Sequence, residues 1–140
     1  YSRFARYHLN KIRNEIAKRS LVSSEKEMLA FREELLVNKV FEKEIQVISK
    51  WGDFFSTSMF RDLCFHAHEI QYDCHDLQKL IDDAGMEFIG MMLPLNKSQE
   101  YQMKTAKLAA NADLMDWYEF ELNNTFCFSE IYNFFVTPKS

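Results

Sequence analysis

Apolar residues in the first part of the chain recur at steps of three and four, which is the spacing of helices that bury one face. This spacing predicts a first helix over residues 2–19, a second that begins at Ser24, and a third over 39–50. Residues 51–58 break the period, so we expect a loop there and then a short helix over 59–65. The first part of the chain is therefore predicted to be helical.

The next predicted helix begins at Asp73 and stops at Gly85. Asp73 and Asp76 have the spacing of a capping box, in which each side chain binds the other residue's backbone amide. Leu77 and Ile81 belong to the apolar face of this helix. Gly85 can adopt the positive φ that commonly ends a helix.

Two short apolar runs in the second part of the chain, 86–93 and 131–136, predict strands. Helices are predicted between them, one from Ser98 and one over 113–121. Two strands form a marginal sheet by themselves, and strands that are apolar on both faces belong inside a helix-covered sheet. The sequence therefore indicates the end of an α/β domain whose other strands lie elsewhere.

Length and composition indicate a globular chain. Of its 140 residues, 47% are hydrophobic and 27% are charged, and a chain of this size can bury a sizeable core. We expect one domain or fragment over 1–140, with a helical part over 1–84 and a strand–helix–strand part over 85–140. The predicted fold class is mainly α with a small two-stranded β element, an α+β arrangement.

The net charge and the small number of glycines argue against several classes of function. The 17 Lys and Arg against 21 Asp and Glu give a net charge of −4, which argues against a nucleic-acid partner. No apolar run is long enough for a membrane helix. With only 3 Gly, the chain cannot form a glycine-rich nucleotide-binding loop. The Lys and Arg residues on one face of the first predicted helix are interpreted as a solvated surface. Three cysteines without framework spacing suggest a reducing cytoplasm.

Metal binding is the competing chemistry in residues 64–76, where Cys, His, Asp and Glu side chains are crowded. Zinc sites usually present their ligands as closely spaced pairs, and this segment has no such pairs. On a helix, His66 and His68 would point about 200° apart, so joint ligation requires an extended backbone. We therefore expect no metal.

Four blocks of sequence carry a family resemblance: YSRFAR at 1–6, STSMFRDLCFHAHE at 56–69, GMEFIG at 85–90 and DWYEFE at 116–121. Together they resemble the C-terminal half of class I S-adenosylmethionine-dependent methyltransferases, in particular the bacterial group joined to tetratricopeptide repeats. The family usually reads more like His-Val-Gln-Glu-His where this chain has His-Ala-His-Glu-Ile, so the second histidine is displaced.

The resemblance implies a C-terminal portion of a Rossmann-like fold. It places Tyr1 just after the fifth strand of the sheet, and it makes 86–93 and 131–136 the sixth and seventh strands. The last strand of that sheet runs antiparallel to its neighbours, so we expect these two strands to pair antiparallel. The glycine-rich turn and the acidic residue that bind S-adenosylmethionine would lie upstream of Tyr1, and no cofactor site is expected in this chain.

Methyl transfer needs an aligned acceptor and, if the acceptor is protonated, a nearby base. His66 and Glu69 would share a face if the short helix continues, and they are the candidate catalytic residues. The candidate substrate-binding residues are Tyr1, Ser2, Arg61 and Asp62. Arg61 and Asp62 can hold a substrate carboxylate, or they can be capping and tethering groups, and His66 can equally be a core histidine.

Two functional hypotheses follow. The first is a substrate-side methyltransferase segment without independent catalysis, which is an enzyme only with its cofactor-binding half. The alternative is a non-enzymatic helical dimerisation or interaction domain. Because aromatic residues reach 15% of the chain and an isolated strand pair leaves open edges, we expect a homodimer. The missing methyltransferase half is the other expected partner.

Overall fold

The computed structural model describes residues 1–66, 68–128 and 130–140. In this part of the chain it contains seven α-helices and two strands, so the fold is mainly helical with a small sheet, as predicted. The chain divides into two compact units. We call Tyr7–Glu69 the helical unit, and Tyr1–Arg6 together with Ile70–Ser140 the strand unit.

The described residues of the helical unit form four α-helices: α1 (Tyr7–Arg19), α2 (Glu25–Val37), α3 (Glu42–Ile48) and α4 (Thr57–Phe60). A π-helix, Arg61–Phe65, follows α4 directly. The apolar stripes of these elements meet in one core, whose fully buried members are Leu9, Ile12, Met28, Ile48 and Phe54.

The first helix begins at Tyr7, so its predicted start at Ser2 is wrong. The Ser2 hydroxyl does accept the backbone amide of Ala5 at 3.2 Å, as a cap would. However, the Ser2 backbone is in a parallel bridge with Tyr72, which holds it in an extended conformation. A helix cannot continue through a residue paired in this way.

The second helix starts as predicted, because the Ser24 hydroxyl accepts the amide of Glu27 at 3.3 Å. The Glu27 carboxylate also accepts a backbone amide at the start of this helix, that of Val22 at 2.9 Å. The predicted third helix is shorter than expected. A 3₁₀ turn over Lys39–Phe41, capped by Asn38, comes before α3.

The strand unit contains, in chain order, α5 (Cys74–Asp83), β1 (Met86–Met91), α6 (Leu95–Thr105), α7 (Leu114–Asn123) and β2 (Phe134–Pro138). The capping box of Asp73 and Asp76 is confirmed, with N···O distances of 3.1 and 3.0 Å. Gly85 ends this segment with a φ of +67°. The core of the unit is largely aromatic and contains Tyr101, Trp117, Phe120, Phe128 and Tyr132.

The two strands pair antiparallel, as predicted, with Glu87 opposite Thr137 and Met91 opposite Phe134. The predicted start of the second strand at residue 131 is wrong, because β2 begins at Phe134. No helix in the described ranges is long and apolar enough to cross a bilayer.

Candidate functional site

The predicted site residues lie in different units. Arg61, Asp62, His66 and Glu69 belong to the helical unit, and Tyr1 and Ser2 belong to the strand unit. The contacts of each group are therefore described within its own unit.

The group in the helical unit is built around the π-helix. The His66 amide donates to the Arg61 carbonyl at 3.0 Å, five residues back, which is the bond that defines this wider turn. π-turns are rare and are frequently found at functional sites. This one contains Arg61 and Asp62 and leads directly to His66. The sequence predicted an ordinary helix here, since no residue pattern marks a π-turn.

Arg13 of α1 holds the π-helix and Glu69 together. Its Nε and Nη2 donate to the Leu63 carbonyl at 3.0 and 2.7 Å, and its Nη1 donates to the Glu69 carboxylate at 2.8 Å. The Arg13 and Glu69 side chains are only 14% and 13% exposed. Glu69 is thus an ion-paired carboxylate whose position is fixed by α1.

The basic face of α1 is not simply a solvated surface, so that interpretation is corrected. Lys11 binds the buried carboxylate of Glu44 at 3.0 Å, and Arg19 binds Glu34 at 2.9 Å. Together with Arg13, these residues fasten α1 to other parts of the helical unit. Burial of Glu44 would raise the pKa of its carboxyl, but hydrogen bonds from Lys11 and His8 outweigh burial and lower it.

The remaining predicted residues of the helical unit differ in exposure. His66 and Asp62 are exposed, so both can reach a ligand from solvent. Arg61 is half-buried, and its Nε is buried with no hydrogen-bond partner in the described residues. The helix ends at Phe65, and residues 68 and 69 are not helical. The expectation that His66 and Glu69 share a helical face is therefore wrong.

In the strand unit, the first residues of the chain are held by backbone hydrogen bonds. The Tyr72 amide donates to the Tyr1 carbonyl at 2.9 Å, and the Arg3 amide donates to the Tyr72 carbonyl at 2.9 Å. The Ser2 amide donates to the Glu130 carbonyl at 2.8 Å. The N-terminal segment is therefore a structural part of this unit.

A buried carboxylate, Glu121 of α7, fixes Ser2 from the other side. The Ser2 hydroxyl donates to Glu121 Oε1, and the Tyr132 hydroxyl donates to Glu121 Oε2 at 2.6 Å. Glu121 and Ser2 are both 0% exposed. Burial raises the pKa of the Glu121 carboxyl, although the two hydroxyls act in the opposite direction.

Tyr1 and Ser2 consequently have different positions. Ser2 is enclosed and anchors the segment, whereas the Tyr1 side chain keeps an exposed fraction of 38%. The Arg6 guanidinium lies 4.3 Å from the centre of the Tyr1 ring and donates to Glu130 at 2.6 Å. Of the predicted pair, Tyr1 is the residue whose side chain can meet a ligand in this conformation.

Sequence reasoning missed Glu121, although a signal was present. With Leu114 and Trp117, it falls on the same buried stripe of α7, at steps of three and four. A carboxyl at such a position needs hydrogen-bond donors inside the protein. The pattern indicates that donors exist but does not identify Ser2 and Tyr132.

The buried thiols are not nucleophiles at neutral pH. Burial raises the pKa of Cys64 and of Cys127 to about 12 in each case. All three cysteines are free. Among the described residues, no group of three or more His, Cys, Asp or Glu side chains is arranged to hold a metal ion.

No protein-family model and no curated protein matches this chain. Its functional interpretation therefore depends on the geometry of the candidate site residues in each unit and on the motifs in the sequence.

Replacing Arg13 by Ala should destabilise the helical unit by about 3 kcal/mol, because the Leu63 carbonyl and the Glu69 carboxylate lose their donor while largely buried. Urea unfolding followed by circular dichroism measures this loss. Arg19→Ala is the matched control on the same helix. Its side chain is 35% exposed, so we expect a loss of at most about 1 kcal/mol. Equal losses for the two variants would contradict the role given to Arg13.

Replacing Glu121 by Gln should change how stability depends on pH. The folded-state pKa of Glu121 lies above its unfolded value, so its stabilising contribution is complete below the unfolded pKa and is lost as pH rises through the folded pKa. Relative to Glu121→Gln, the wild type should lose about 1.4 kcal/mol per pH unit between these two values.

Unfolding curves from pH 4 to pH 8 measure this difference, with Trp117 fluorescence as the signal in a Trp51→Phe background. Glu119→Gln is the control, because Glu119 is an exposed carboxyl on the same helix. Its stability difference from the wild type should vary little with pH. A Glu121→Gln difference that is equally flat would show that burial of Glu121 has no energetic effect.

Proposed function

We propose that this chain is the C-terminal, substrate-side segment of an S-adenosylmethionine-dependent methyltransferase. It does not catalyse methyl transfer by itself. The proposal rests on the four sequence blocks and on one structural observation, the antiparallel pair of β1 and β2 with an open outer edge on β2.

The open edge follows from the hydrogen bonds at the two ends of β2. The Asn133 carbonyl accepts the Met92 amide at 2.7 Å, and the Lys139 amide donates to the Gly85 carbonyl at 3.0 Å. Odd-numbered residues thus face β1, and Phe134 and Val136 present their backbone groups to the opposite side. In the described part of the chain, β1 is the one strand that pairs with β2.

An open edge of this kind readily accepts another strand. The Ser2 amide already binds the Glu130 carbonyl, four residues before β2. A strand that ended at Tyr1, as the resemblance implies for the fifth strand, would therefore end beside the residues that lead into β2. The exposed side chains of Phe135 and Val136, at 53% and 39%, would gain cover from the rest of such a sheet.

In this proposal, the residues of the chain hold the methyl acceptor rather than the cofactor. S-adenosylmethionine supplies the methyl group when it is bound to the other half. The chain has 3 Gly, and Gly85 and Gly90 belong to the end of α5 and to β1, so no glycine-rich turn is left to approach the cofactor. In the helical unit, His66 and Glu69 would act as base and supporting carboxylate, and Arg61 and Asp62 would bind the acceptor. In the strand unit, Tyr1 would face a ligand, and the enclosed Ser2 would hold Tyr1 in place.

Calorimetric titration with S-adenosylmethionine tests the proposal. The 140-residue chain should not bind the cofactor, and the same chain joined to the coding sequence that precedes Tyr1 should bind it. That upstream sequence should contain a strand followed by Gly-x-Gly-x-Gly. Tight binding by the 140-residue chain, or an upstream sequence without this motif, would refute the proposal.

A second candidate function is a dimerisation domain, which is favoured by the exposed apolar side chains of the helical unit. Val37 and Val40, at the end of α2 and in the turn after it, are 81% and 77% exposed. Large exposed apolar patches commonly mark interaction surfaces.

We expect a homodimer that buries more than about 1,200 Å² in total, the lower bound of standard specific interfaces. Light scattering at micromolar concentration should give twice the monomer mass of 16.7 kDa. Val136→Pro, which removes an outward-facing amide of β2, should dissociate a dimer joined through the strand edge. Val40→Lys should dissociate one joined through the helices. A monomer mass for the unmodified chain would contradict this prediction.

A further inference from the structure

Arg61 differs from the other arginines because its side chain has no partner in the described residues. The chain has six arginines, and five donate to acceptors within their own unit: Arg3 to Asp73 and Asp76, Arg6 to Glu130, Arg13 to Glu69 and Leu63, Arg19 to Glu15 and Glu34, and Arg32 to Phe55. Arg61 has no such bond, and its Nε is buried without an acceptor.

This arrangement is energetically unfavourable in the free protein. Arg61 is half-buried, so its positive charge is partly removed from water with no carboxylate to compensate. A buried donor without an acceptor adds the cost of a lost hydrogen bond. The Trp117 indole N–H also lacks an acceptor, but that ring is 1% exposed in an aromatic core, where no ligand reaches it.

The backbone at Arg61 is unusual as well. Arg61 is the first residue of the π-helix, and Arg13 fastens the same segment at the Leu63 carbonyl. Turns of this kind are rare and frequently occur at functional sites. The unpartnered guanidinium and the π-turn are independent observations, and they coincide at one residue.

We propose that Arg61 binds an anionic group of a ligand, either a carboxylate or a phosphate, through its outer guanidinium nitrogens. The planar fork of a guanidinium matches both groups with two parallel hydrogen bonds. Because the chain has a net charge of −4, general attraction of anions is weak and the affinity has to be local. That the anion belongs to the methyl acceptor rests on the proposed function, whereas anion binding itself does not.

Thermal unfolding in sodium acetate and in sodium phosphate tests the inference, with sodium chloride at equal ionic strength as the baseline. Both probes are small enough to reach a half-buried guanidinium. A bound anion should raise the unfolding midpoint of the wild type in a saturable way. The anion that saturates at the lower concentration identifies the ligand group as carboxylate or phosphate.

Arg61→Met, which keeps the length of the side chain and removes the charge, should weaken the apparent anion affinity by at least about tenfold. Without added anion it should be as stable as the wild type or more stable, because an unpaired half-buried charge has been removed. Lys26→Met is the matched control, since Lys26 is an exposed cation on α2 of the same unit. It should keep the wild-type anion response.

Two results would overturn the inference. One is anion stabilisation of Arg61→Met equal to that of the wild type. The other is a lower midpoint for Arg61→Met without anion, which would assign Arg61 a structural role. The experiment needs no cofactor, so a failed S-adenosylmethionine titration would leave its outcome unchanged.

Discussion

The strand unit depends on a buried carboxylate whose hydrogen-bond donors are two neutral hydroxyls. Glu121 of α7 accepts from Ser2 and from Tyr132, and Ser2 also pairs through its backbone with Tyr72 and Glu130. Three separate segments therefore meet at one group. Since a buried carboxyl that loses a donor bears the full cost of desolvation, none of these segments can move without the others. The position of Tyr1 and the path of the residues that lead into β2 both follow from this constraint.

In the helical unit, a charged side chain rather than a neutral one holds separate segments together. The Arg13 guanidinium binds a backbone carbonyl of the π-helix and the carboxylate of Glu69 at the same time. A lysine could not replace it, because one ammonium group lacks the fork that reaches two acceptors in fixed directions. The wider turn at Arg61–Phe65 is thus maintained by a residue almost fifty positions away. The exposed His66 directly follows that turn.

Helix caps and stops, which are decided within four residues, could be predicted from the sequence, and the antiparallel strand pair was implied by the family resemblance. The start of α1 and the π-turn, which depend on distant residues, could not be predicted. The caps at Ser24 and Asp73 and the stop at Gly85 depend on local donors and acceptors, and they are where the sequence placed them. The start of α1 depends on the pairing of Ser2 with Tyr72, seventy positions along the chain. The π-turn likewise has no local signature, because its position depends on Arg13.

Each unit has one feature without a partner in the described residues: the outer edge of β2 in the strand unit and the Arg61 guanidinium in the helical unit. The outer edge of β2 is reached by water, so its amides and carbonyls are solvated until another strand replaces that water. The Nε of Arg61 is buried without an acceptor. An anion on the outer nitrogens would offset the charge of this guanidinium, although it would not supply Nε with an acceptor. The first feature therefore concerns assembly and the second concerns a ligand. The edge of β2 belongs to the strand unit and Arg61 belongs to the helical unit, so the two requirements are separate.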